Sequence, residues 1–177
     1  LAPRRKRLGE SPVTAANAPE NTSPLWDFVA ERLRDDARIS TFGSGQSAEH
    51  RFVSTLFGFW TCPQSLRDPA SAARLYEQVF HAARKTEQSF DGLWARSDPS
   101  GDKQKLLMLF GATQSRPDDT DRAIAAARAL RQEFQVLKRE HPSLRLGIGV
   151  ATTTVFAGFV GHTDRREFTA MGDGVNL

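Results

Sequence analysis

Apolar residues are sparse at the start of the chain and become patterned only from Leu25 onward. Residues 1–24 are rich in Pro, Ala, Asn, Ser and charge, with almost no aliphatic periodicity, which predicts a disordered basic linker. In Leu25–Arg34 (LWDFVAERLR), Leu25, Phe28, Val29 and Leu33 fall at helical spacing. That pattern predicts a short amphipathic helix, started by Ser23-Pro24 and followed by a polar loop. Arg51–Trp60 (RFVSTLFGFW) is β-branched, aromatic and too apolar to leave one face in water, so it reads as a buried strand ended by Pro63. Asp68 is a suitable N-cap with Pro69 behind it, and Leu75, Val79, Ala82 and Ala83 stripe a helix running to about Phe90.

Two further strands are expected, Gly92–Arg96 and Lys105–Phe110, joined by the turn-forming run 97–102 (SDPSGD). Pro117 to Asp121 opens the next helix with acids at its positive end. Its stripe is Ala123, Ile124, Ala127, Leu130, Phe134 and Leu137, and His141-Pro142 stops it. Residues 144–177 hold most of the glycines of the second half and read as strand, turn, strand, polar turn, strand and a tight glycine turn. The order strand, helix, strand, strand, helix, strand predicts an α+β fold, a ferredoxin-like βαββαβ core with C-terminal additions. The domain organisation follows: linker 1–24, connecting helix and loop 25–49, and a folded domain over 50–177.

Composition narrows the classes. A 39% hydrophobic, 25% charged chain with mean hydropathy of −0.46 is that of an ordinary globular protein. No apolar run approaches the ~20 residues that a membrane helix needs. Cys62 stands alone, so no internal disulfide framework exists, which fits a reducing, cytoplasmic setting. The net charge of +3 is concentrated in Arg4-Arg5-Lys6-Arg7. The remainder is near neutral, which argues against nucleic acid as a partner, although Phe57, Phe59 and Trp60 could stack bases on a sheet.

The motifs point to a family. Leu146 to Val150, Ala157-Gly158-Phe159-Val160-Gly161, Arg165 to Thr169 and Gly172-Asp173-Gly174-Val175-Asn176-Leu177 together resemble the C-terminal half of class III adenylyl/guanylyl cyclase domains. Leu106 to Ala112, with Asp118-Asp119 and Arg122-Ala123, extends the likeness upstream, as does the strand at Arg51–Trp60. Gly161-His162-Thr163, Asp98-Pro99 and Gly101-Asp102-Lys103 look most like the second cyclase domain of soluble, bicarbonate-regulated adenylyl cyclases and their bacterial relatives. There two cyclase domains stand in tandem, before ATPase and helical-repeat modules.

The resemblance implies cyclisation of a nucleoside triphosphate: the ribose 3′-hydroxyl attacks the α-phosphorus and pyrophosphate leaves. Two Asp carboxylates hold two Mg²⁺ or Mn²⁺ ions in that reaction. The first carboxylate position falls on Gly58 or Phe59, neither of which binds metal. Asp102 matches the second, but it stands eight positions before Phe110, about two more than in the family. The resemblance implies Thr169 as the hydrogen-bonding partner of adenine, Lys103 or Lys105 as a second base reader, and Asn176 as the residue that orients the ribose. It also implies an Arg about four residues beyond Asn176, to stabilise charge on the α-phosphate. Without motif context, Thr169 reads as a strand former, Asn176 as a helix cap and Asp102 as a turn residue. Two functional readings follow. In one, the chain is the metal-poor half of a bipartite adenylyl cyclase, inactive alone and completed by a second cyclase domain. In the other, it is a catalytically inactive cyclase-like domain used for dimerisation or regulation in a larger signalling ATPase.

Overall fold

Strand β1 (Glu49–Thr61) is the centre of the molecule, and it is paired on both edges. In the computed structural model it runs antiparallel to β3 (Lys103–Phe110) on one side and to β4 (Arg145–His162) on the other. The hairpin partner β2 (Leu93–Ser100) lies outside β3, and β5 (Arg165–Met171) lies outside β4. The sheet order is therefore β2-β3-β1-β4-β5. Helices α1 (Pro69–Phe90) and α2 (Asp119–Leu137) supply the crossovers of the βαββαβ core, and β5 is the addition. This is the expected α+β architecture. The structure describes residues 49–63, 67–100, 103–162 and 165–175. The expected helix at 25–34 and linker at 1–24 lie outside them.

Alternation along β1 divides the core in two. Leu56 and Trp60 face the helices and pack with Leu75, Val79 and Ala83 of α1, Leu130 and Phe134 of α2, and Met108 and Phe110 of β3. Val53 and Phe57 face the other way and pack with Leu107, Leu109, Val155, Ala157 and Val175. Both faces are buried from Val53 to Gly58, as the sequence requires.

The helix signals act as expected. The Asp68 carboxylate accepts the Ser71 backbone N–H at 2.9 Å, and Pro69 occupies the first turn. Helix α1 ends at Asp91, in the left-handed conformation (φ 55°). Helix α2 carries Asp119 and Asp121 in its first turn. It stops at Leu137, one turn before His141-Pro142, and Ile124 of the expected stripe is 38% exposed while Ala126 is fully buried.

The two helix ends meet in one polar clamp. Buried Asp119 accepts the Arg116 backbone N–H at 2.7 Å and pairs with the Arg122 guanidinium. Arg122 also donates to the carbonyls of Phe90 (2.9 Å) and Asp91 (2.8 Å), while Arg116 pairs with the Asp91 carboxylate at 2.5 Å. Gly111, at φ 87°, passes so close to the Asp119 carboxylate that no side chain fits there.

Two expectations change. The turn at 97–102 is much shorter: β2 and β3 pair without a break from Ser97↔Leu106 to Ser100↔Lys103. Pro99 tolerates this because β2 is an edge strand, where its missing N–H leaves no ladder bond unmade. Gln104 and Lys105 are paired in register, so the extra residues before Phe110 lengthen the hairpin instead of bulging it. The second change is in Arg145–His162, which form one strand of 18 residues without an internal turn. Thr152, Thr153 and Thr154 stay in register with Ser54, Val53 and Phe52, and the Thr152 hydroxyl bonds that of Ser54 at 2.8 Å. Gly158, at φ 157°, sits inside the strand instead of at a turn.

Removing Asp119 takes one carboxylate from the part-buried Arg122 guanidinium, which keeps Asp118, Asp91 and two backbone carbonyls, and leaves the Arg116 backbone N–H without its acceptor. Asp119→Ala is expected to lower unfolding free energy by about 1–3 kcal/mol in chemical denaturation. The Ser71 side-chain and backbone donors hold the exposed Asp68 carboxyl below the usual carboxylate range. Its cap contribution is therefore complete above the ordinary Asp pKa and is lost as pH falls through the lower folded value. Denaturation of Asp68→Ala across acid pH is expected to show a smaller loss of stability over that window than the parent.

Candidate functional site

The sheet face without helices forms a cleft of about 270 Å³. Its walls are Ala95 and Arg96 of β2, Lys105, Leu107 and Leu109 of β3, Phe168 to Met171 of β5, and Val175. Most of the lining residues are apolar, but the exposed lining is more polar than apolar, and two cations stand in it. Lys105 lies over the Phe57 ring, with its Nζ 5.0 Å from the centroid. Arg96 is paired with Asp98 at 3.4 Å.

Strand alternation alone would send Arg96 to the helix side with Trp94. A register shift at Ala95 prevents it: Trp94 pairs with Met108, Arg96 pairs with Leu107, and Ala95 is the extra residue of a β-bulge. Beyond the bulge, Arg96 and Asp98 share the cleft face with Leu107 and Lys105.

The glycine-rich end is fixed to the same face. Val175 is buried in the cleft-side core. The Thr55 hydroxyl donates to the carbonyls of Gly174 (2.9 Å) and Ala151 (3.1 Å). Gly174 lies against the Thr153 side chain, where a Cβ would collide with its methyl group. The turn Asp173–Val175 is thus seated beside the cleft and leads toward Asn176.

Of the expected site residues, Lys105 and Thr169 both border this cleft, from strands on either side of β1. Thr169 pairs across the strand with Gly158. Lys103 is exposed, two residues nearer the hairpin tip, and does not line the cleft. Asp102 and Asn176 lie outside the described residues. Arg96 was not among the expected residues. Reading β2 with strict alternation hides it, because nothing in LWARS marks the extra residue.

The two positions where a metal carboxylate was expected are now distinct. Gly58 faces the helices, where a Cβ would meet Leu106 and Leu146. Phe59 faces the cleft side and packs its ring edge-on against Phe168, with centroids 5.4 Å apart. Among the described residues no three His, Cys, Asp or Glu side chains gather where one metal ion could bind. These residues do not fit a metal site.

Solved structures share this arrangement. The guanylyl cyclase Cya2 superposes with a TM-score of 0.64 over 74% of this chain and 68% of its own, at 22% identity. The guanylate cyclase domain of RhGC from Catenaria anguillulae, solved with GTP, gives 0.61 over 73% and 71%, at 22% identity. The adenylyl cyclase CyaB from P. aeruginosa gives 0.59 over 73% and 70%, at 18% identity. The chain has the fold of class III nucleotide cyclase domains. No protein-family model matches it.

Sequence relatives include mycobacterial proteins. The uncharacterized protein Rv1318c of Mycobacterium tuberculosis is 36% identical over 110 residues, which is 62% of this chain and 19% of the relative. The uncharacterized protein Rv1319c of the same organism is 41% identical over 70 residues, 40% of this chain and 12% of its own. The chain thus spans less than a fifth of the length of these relatives. Among the described residues of the cyclase fold seen here, no helix is long and apolar enough to cross a membrane.

Proposed function

We propose that this chain is one half of a bipartite class III adenylyl cyclase, which converts ATP to cyclic AMP and pyrophosphate. The observation that carries the proposal is the meeting of Lys105 and Thr169 in one cleft on the helix-free face of a cyclase fold. Its aliphatic and aromatic wall residues suit the faces of a purine ring, and its polar groups suit the ring's edge. The Lys105 ammonium donates to ring acceptors, and the Thr169 hydroxyl hydrogen-bonds the exocyclic edge. Asn176, which follows the turn seated by Thr55, orients the ribose for attack by its 3′-hydroxyl. Phe59 supports the bipartite part of the reading. It puts an aromatic ring where a carboxylate is expected, so the carboxylates for Mg²⁺ or Mn²⁺ come from a second cyclase domain facing this one. A second copy of this chain cannot supply the carboxylate missing at that position. Further ATPase or helical-repeat modules in the same protein, and action in the cytoplasm, belong to the same proposal.

The Phe59–Phe168 stack also favours the second reading, a cyclase-like domain that assembles and regulates without turnover. The two readings separate on one residue. In the bipartite enzyme, Asn176→Ala in the complete protein cuts cyclic AMP formation by about 100-fold. In the regulatory reading its output is unchanged.

The direct test uses purified chain with and without a cyclase domain that carries both metal carboxylates. The chain alone is expected to form cyclic AMP only at background, and the mixture to be active. In the mixture, Thr169→Val is expected to raise KM for ATP about tenfold. Cyclic AMP formation by the isolated chain, at a rate that the added domain does not change, would refute the proposal.

A further inference from the structure

The β-bulge at Ala95 is held in place by contacts that no part of the catalytic reading requires. The Trp94 indole N–H donates to the Arg96 carbonyl at 3.2 Å and to the Ser97 hydroxyl at 3.1 Å. The ring itself is fixed from behind by Phe80 of α1, with centroids 5.3 Å apart. The Trp94 backbone N–H donates to the buried Glu87 carboxylate at 3.0 Å, and Glu87 is in turn paired with Arg84. One residue of β2 is thus gripped through its backbone and its side chain at the point where the strand changes phase.

The consequence is for Arg96. In an unbulged strand it would share the face of Trp94 and point at the helices. There its guanidinium, with five donors and no acceptor, would lie beside the Trp94 and Phe80 rings and could not reach the cleft. With the bulge, it stands on the cleft wall beside Lys105.

We infer that Trp94 and Ser97 are positioning residues for nucleotide binding: by pinning the Ala95 bulge they hold Arg96 on the cleft wall, where its guanidinium donates to acceptor atoms of the bound nucleotide. The inference rests on the nucleotide reading of the cleft, and it adds a contact from β2 to those from β3 and β5.

The test titrates the 177-residue chain with ATP and with GTP and follows side-chain N–H resonances by NMR. Trp94→Phe keeps an aromatic ring facing Phe80 and removes the indole donor together with part of the ring. It is expected to weaken binding about tenfold, as Arg96→Ala does. The double variant is expected to bind no more weakly than Arg96→Ala alone, since both remove one contact. The Arg96 Nε resonance shifts on nucleotide addition in the parent and does not shift in Trp94→Phe. Thermal unfolding of Trp94→Phe near the parent temperature shows that the fold survives. Ser97→Ala, which leaves the ring in place, gives a smaller effect of the same kind. Two outcomes overturn the inference alone: Trp94→Phe with parental affinity while Arg96→Ala binds weakly, or fully additive losses in the double variant. If neither nucleotide binds the parent chain, alone or mixed with the cyclase domain that carries both metal carboxylates, the nucleotide reading falls and takes this inference with it.

Discussion

The Asp119–Arg122 pair is the constraint on which the rest of the molecule depends. It joins the end of α1, the glycine that closes β3 and the first turn of α2 at one buried point. A buried ion pair is weak as a source of stability but strict as a specifier, because either partner alone is costly. Here it fixes where the chain leaves α1, and so where β2 begins. Every residue on β2 then has a defined height along the sheet. The clamp is far from any chemistry, yet it sets the register of the cleft wall.

That register divides two kinds of packing. One face of the sheet is sealed by helices with a Leu-rich core. The other carries a smaller apolar layer, two cations and a docked glycine turn. Polar groups collect on the second face because the first has no room for them. The Ala95 bulge moves Arg96 and Asp98 across that boundary, at the cost of one unpaired residue in an edge strand.

Much of this was legible in the sequence. Capping by Asp68-Pro69, the acidic start at Asp119 and the apolar run at Arg51–Trp60 each have a local physical cause, and each element formed where that cause lies. Long-range effects were hidden. The glycines of residues 144–177 read as turns between strands, but pairing of Thr152 to Thr154 with Ser54 and its neighbours carries β4 through without a break. The run SDPSGD reads as a turn by composition, although an edge strand can absorb Ser97 to Ser100. At the site, Lys105 and Thr169 were found through a motif, and their shared cleft is a property of the sheet. Arg96 was invisible because a bulge is a pairing event between two strands, and β2 alone contains no trace of it.

A row of rings runs from Trp60 through Tyr76 and Phe80 to Trp94, with successive centroids 5.0, 5.8 and 5.3 Å apart. It connects the end of the central strand to the bulge along the side of α1 that packs on the sheet. Its two indoles differ in surroundings, Trp60 being fully buried and Trp94 half-buried with its N–H engaged. With the third tryptophan, Trp26, replaced by Phe, near-ultraviolet dichroism and emission colour therefore report on the two ends of this row. The row is then an intrinsic optical gauge of whether the edge strand is in phase, readable without any attached label.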